Sequence, residues 1–97
     1  MSDPERTADG RYIIVHGRRW RATDPVLPPR LVAALRSELG SARSRIGHLD
    51  SEDERRPVRD RVQWAKEGLG ERGTAWWELA ESERVARAED RLRRLRE

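Results

Sequence analysis

The sequence predicts an α+β domain, mainly α: an N-terminal β-hairpin packed on two to three helices, closed by a charged C-terminal helix. Three observations predict it. A run of strand-forming residues, Tyr12–Val15, is followed by a His-Gly pair suited to a tight turn. Two later segments carry apolar residues at helical steps of four and three. Proline and glycine cluster between these segments, at Pro25, Pro28 and Pro29 and at Gly68, Gly70 and Gly73.

Residues 1–10 are polar and aperiodic and contain Pro4 and Gly10, so they are expected to be disordered. Residues 11–97 form one small domain. The hairpin spans residues 11–23. A two-residue turn at His16-Gly17 pairs Val15 with Arg18, Ile14 with Arg19, Ile13 with Trp20 and Tyr12 with Arg21. Alternation then separates a face of Ile13, Val15, Trp20 and Ala22 from a basic face of Tyr12, Ile14, Arg19 and Arg21. The first is expected to face the core, and a lone hairpin needs the helices to cover it.

Pro25, Pro28 and Pro29 keep the next stretch extended and open a helix at about residues 29–47. Its apolar residues include Leu31, Leu35, Leu39, Ala42 and Ile46. A second helix carries Val58, Val62, Ala65 and Leu69 and is expected over about 57–69. Ser51 with Glu54 could cap an earlier start, and Pro57 could sit in its first turn. Gly68, Gly70 and Gly73 end it. Thr74 is a suitable N-cap for a third helix over about 75–96. There Glu83–Arg87, Glu89–Arg93 and Asp90–Arg94 are spaced for ion pairs one turn apart. The last third of that helix is mostly charge, suited to projecting from the domain or pairing with a second copy.

Of the 97 residues, 35% are hydrophobic and 40% charged, with no cysteine and no phenylalanine. The core is therefore small, which makes completion in a homo-oligomer a natural expectation. Disulfides, a thiol nucleophile and zinc-thiolate sites are excluded. With no secretory signal and no long apolar run, the expected location is cytoplasmic, with no membrane partner.

The net charge is +3, and 20 of the 21 basic residues are arginine, Lys66 being the exception. Such a ratio follows from GC-rich codon usage and is not by itself a sign of binding. Residues 11–22 nevertheless hold Arg11, Arg18, Arg19 and Arg21 and no acid.

No catalytic residue stands out. His16 lies in a turn and His48 at a helix end. Ser37, Ser41 and Ser44 lack a nucleophile elbow. The glycines at 68–73 follow a helix rather than a strand and lack the Lys-Ser/Thr ending of a phosphate loop. No cofactor, metal or small-molecule substrate is indicated, and the chain is expected not to be an enzyme. Two surfaces remain. Trp76 and Trp77 open the third helix about 100° apart, so both are hard to bury at once, which suggests a protein interface or self-association. Tyr12, Arg18, Arg19 and Arg21 could instead contact nucleic acid through phosphate pairing and base stacking.

The segments DGRYIIVHGRRWRATDPVLP (9–28) and RVQWAKEGLGERGTAWWE (61–78) resemble a family of short bacterial proteins, common in actinobacteria, that share GRRWRATDP and ERGxxWWE motifs. Some members carry the label "biopolymer transporter Tol". The matching positions are Gly17–Arg21 with Asp24 and Pro25, then Glu71–Gly73 with Trp76, Trp77 and Glu78. The resemblance implies a shared fold and no particular activity. It also suggests a clasp in which Trp20 packs on Trp76 or Trp77 and an arginine of the first motif pairs with Glu78.

Overall fold

His16 and Gly17 both adopt left-handed backbone, with φ of 51° and 77°, the pair of conformations a type I′ turn demands. They fold strand β2 (Tyr12–Val15) back on β3 (Arg18–Arg21). The register is Tyr12↔Arg21, Ile13↔Trp20, Ile14↔Arg19 and Val15↔Arg18. The computed structural model describes residues 4–97.

The stretch expected to be disordered contributes a further strand. Residues 1–3 lie outside the described residues, but β1 (Glu5–Arg6) pairs antiparallel with β2, giving the order β1-β2-β3. The turn behind it is built by Asp9. Its Oδ1 accepts from the Thr7 hydroxyl at 2.6 Å and from the Arg11 amide at 3.0 Å, and Gly10 takes the left-handed conformation. An Asp-Gly turn between two short strands is a hairpin signal.

Helix α1 (Pro29–Ile46) starts with proline in its first turn and buries Leu31, Leu35, Leu39 and Ala42. Helix α2 runs over Glu52–Gly68, starting five residues before the expected residue 57. The Ser51 hydroxyl accepts from the Glu54 amide at 3.1 Å, and Glu52, Asp53 and Glu54 occupy the positive end of the helix dipole. These contributions outweigh the loss of one amide donor at Pro57, which sits exposed inside the helix. The expected third helix is divided. Trp76–Glu78 form one 3-10 turn, Leu79 and Ala80 are extended, and α3 spans Glu81–Arg96. Thr74 therefore does not cap α3, whose N-cap position is Ala80. Of the anticipated pairs on α3, Asp90–Arg94 forms among the described residues, at 3.3 Å. Arg87 turns instead to the Thr74 carbonyl.

The three helices cover one another. Leu27, Leu31, Leu35 and Leu39 meet Ala65, Leu69, Ala88 and Leu95 in one buried cluster, with Val62, Trp64, Val85 and Leu92 at its margin. The end of α3 thus joins the bundle rather than projecting from it, and Arg61 Nη2 donates to the Leu95 carbonyl at 2.6 Å. No helix among the described residues is long and apolar enough to cross a membrane.

The sheet contributes no side chain to that cluster. It is anchored on the segment between α2 and α3, where Tyr12 meets Trp77 edge-on at 5.5 Å. This departs from the expected orientation at Trp20, while Ile13 and Val15 are half-buried like Tyr12 and Ile14. Trp20 is 46% exposed, although Ala22 beyond the end of β3 is buried. Alternation defines two faces but not which one turns inward. Here the stems and guanidinium groups of Arg19 and Arg21 lie over aromatic rings, so a basic face can also be the packed one.

Candidate functional site

Helix α2 ends in a Schellman turn. Gly70, at φ 84°, places its amide 3.1 Å from the Glu67 carbonyl, and the Glu71 amide lies 2.9 Å from the Lys66 carbonyl. The chain leaving β3 straps across this end. The Asp24 amide donates to the Leu69 carbonyl at 2.9 Å, and the Thr23 hydroxyl donates to Glu71 Oε2 at 2.8 Å. Trp76 is buried beside the strap, and its Nε1 donates to the Ala22 carbonyl at 3.0 Å.

Asp24, 3% exposed, is the hub of this junction. Its Oδ1 accepts from the Val26 amide at 3.0 Å, and Arg84 of α3 grips both carboxylate oxygens. The Arg84 guanidinium also lies 5.0 Å from the Trp76 ring centre. The hydrogen bond to Asp24 raises the Arg84 pKa above its ordinary value. Arg87 is a half-buried cation beside it. Its Nη1 donates to the Thr74 carbonyl at 2.8 Å, while its Nε and Nη2 are buried without a partner among the described residues. Burial, with Arg91 nearby, lowers its pKa.

The two sequence motifs therefore meet, but through other residues than those of the suggested clasp. Trp20 lies away from Trp76 and Trp77, with the Arg18 guanidinium 4.7 Å from its ring centre. Trp76 and Trp77 touch each other edge-on at 5.1 Å. Glu78 is exposed, and the acid that receives an arginine at the junction is Asp24. No local pattern in the sequence assigns Thr23, Arg84 or Arg87 to the junction, and Arg87 is expected there to pair with Glu83. Arg84 and Arg87 lie in a helix of alternating charges, where any single arginine reads as solvated surface, and the partner of Arg84 is 60 residues away in the chain.

The candidate nucleic-acid residues are divided between the two faces. Tyr12, Arg19 and Arg21 share one, with Arg19 4.4 Å from the Tyr12 ring centre and Arg21 Nη1 donating to the Gly73 carbonyl at 2.8 Å. Arg11 and Arg21 flank Trp77 at 4.9 and 5.7 Å. Arg18 lies on the opposite face with Trp20. Arg18 and Arg19 are exposed, whereas Tyr12 and Arg21 are half-buried.

Comparison with protein-family models, with curated proteins and with solved structures gave no match.

An open groove of about 380 Å³ runs between the strap and α1, lined in part by Arg6, Asp24, Leu27, Val32 and Arg36. Its one carboxylate already holds three hydrogen bonds, from Val26 and Arg84. Arg36 reaches the Thr23 hydroxyl at 3.2 Å. Among the described residues no group of three or more His, Asp or Glu side chains is placed to hold a metal ion.

Proposed function

We propose that the chain is a non-enzymatic protein-interaction module whose sheet is the recognising element. One observation carries this reading. Among the described residues Trp20 is the large apolar side chain the fold leaves exposed, at 46%, on a ribbon that takes no part in the helical core. Tryptophan flanked by arginine is the composition that dominates binding energy at protein interfaces. The arrangement around Asp24 supports the non-enzymatic part, because its carboxylate oxygens are occupied by structural donors rather than free for proton transfer. Self-association through α3, the other form of this reading, is less well supported, since Ala88 and Leu95 are spent inside the bundle.

The test is selection from a displayed peptide library with the full chain and its Trp20→Ala variant as baits. Ligands that bind the native chain and lose at least about tenfold in affinity on Trp20→Ala, with unchanged circular dichroism, support the reading. Identical selections by both baits, or none by either, sink it.

A second reading has its own observation: Arg18 and Arg19 are exposed at the ribbon tip, in a stretch of residues 11–22 that holds no acid. Under this alternative the ribbon binds nucleic acid. Fluorescence anisotropy with labelled duplex DNA and single-stranded RNA at about 50 mM salt tests it. Binding that weakens with salt and disappears in Arg18→Glu/Arg19→Glu would move it to first place.

A further inference from the structure

We propose that the outer edge of β3 receives an extended acidic segment of a protein partner as a fourth strand of the sheet. This rests on the interaction reading above and names the chemistry of the partner.

The ladder phase identifies the free groups. Bonded and non-bonded pairs alternate along an antiparallel ladder. The Ala22 amide donates to the Arg11 carbonyl at 2.8 Å, so residues 11 and 22 form a bonded pair. The register then makes Ile13–Trp20 and Val15–Arg18 bonded pairs as well. The amides and carbonyls of Arg18 and Trp20 therefore turn inward to β2. Those of Arg19 and Arg21 turn outward, on a strand that is last in the sheet order. Beyond Ala22 the chain leaves the sheet and bonds to α2 through the Asp24 amide. The open edge is thus the four residues of β3.

The side chains along this edge specify what pairs with it. An added strand places alternate side chains on the two faces of the sheet. On one face they lie beside Trp20 and Arg18, on the other beside Arg19 and Arg21. Apolar residues alternating with acids satisfy both, and no acid within residues 11–22 competes for the arginines. A second copy of β3 does not fit. In any antiparallel register that uses the outward groups, Arg19 or Arg21 of one copy stands opposite an arginine of the other, and like charges directly opposite are unfavourable. The same charges guard the edge against self-pairing and attract an acidic strand. Nucleic acid would use the arginines but leave the outward amides of Arg19 and Arg21 unpaired, so the backbone reports which partner is right.

The test uses the full chain and a labelled peptide, Glu-Val-Glu-Ile-Glu-Val-Glu-Glu. A second version is N-methylated at alternate residues, which keeps the charge and removes the donors facing β3. Anisotropy follows binding, and amide hydrogen exchange follows Arg19 and Arg21. The expected result is binding that weakens with salt and falls at least about tenfold on N-methylation and in Arg18→Glu/Arg19→Glu, with protection appearing at the Arg19 and Arg21 amides. The proposal is overturned by absence of peptide binding, by equal binding of both peptides, or by protection confined to the helices. It is also overturned if an oligonucleotide binds the ribbon more tightly without protecting those amides. If the peptide fails while library ligands still depend on Trp20, the edge proposal falls and the interaction reading stands. If both fail, the interaction reading falls too.

Discussion

Arg84 holds Asp24 through a two-pronged grip, with Nε 2.8 Å from Oδ2 and Nη2 2.5 Å from Oδ1. The pair joins the strap after β3 to α3, and neither side chain is more than 12% exposed. Removing one partner of a buried pair leaves the other charge uncompensated. Arg84→Ala is expected to cost about 3–5 kcal/mol, a large share of the roughly 5–15 kcal/mol available to a domain this size. Arg84→Lys keeps the charge but loses the planar fork and the contact over Trp76, so its loss should be intermediate. Urea unfolding at low temperature measures both. An Arg84→Ala loss below about 1 kcal/mol would mean that water takes over the guanidinium's role.

Two glycines should respond to the same substitution with opposite signs. Gly70 has φ 84°, and a Cβ there would lie 2.9 Å from the Asp24 Cβ and 3.0 Å from Trp76 Cδ1. Gly70→Ala combines left-handed strain with a clash at the junction and should destabilise by at least about 1–2 kcal/mol. Gly40 lies within α1, where a new Cβ meets nothing within 4 Å. Gly40→Ala should stabilise by about 0.5–1 kcal/mol. Chemical denaturation of the two variants beside the native chain decides it, and a loss at Gly40 would contradict an exposed, regular α1.

How far the fold was legible depended on the range of the signal. Hairpin register is set by two adjacent residues, His16 and Gly17, and the α1 core stripe by spacing within one helix, so both could be read locally. The inward face of the sheet could not. It is decided by Trp77, whose contact with Tyr12 spans most of the chain, whereas the apolar set Ile13, Val15, Trp20 and Ala22 favoured the other face and left Trp20 exposed. The break before α3 has the same origin. Trp76 is fixed by the Ala22 carbonyl and Trp77 by Tyr12, and a continuous helix through residues 75–96 gives way to these tertiary bonds. The Asp24–Arg84 pair, 60 residues apart, left no local trace. At α2 both competing start signals were visible, and only their relative strength was not.

Lys66, the one lysine, has its pKa lowered from 10.5, first by burial and then by the charges of Arg72 and Arg43. The folded value lies below the unfolded one, so between the two the unfolded chain binds more protons. Stability should therefore rise with pH across the window just below 10.5. Lys66→Met removes the half-buried charge, so it should be more stable than the native chain at pH 7 and lack this share of the rise. Urea midpoints from pH 7 to about 10 give the comparison. An unchanged rise in Lys66→Met would assign it to another group.

Trp77 gives the sheet its hold on the rest of the molecule. Tyr12 and Trp76 meet its ring edge-on, and Arg11 and Arg21 lie beside it, whereas the buried helical cluster contains no sheet residue. Trp77→Ala should therefore loosen the sheet while sparing the helices. Amides of the bonded pair Ile13 and Trp20 should exchange at least about tenfold faster, and those of Leu35 and Ala88 should keep their protection. Uniform acceleration would mean that sheet and bundle unfold as one unit. The distinction bears on recognition. A separately stable sheet can lose its orientation without unfolding the chain, so Trp77→Ala would weaken any ligand that spans both the sheet and the helices. A ligand confined to the β3 edge loses affinity only to the extent that the strand itself frays, and Trp20 stays exposed in either case.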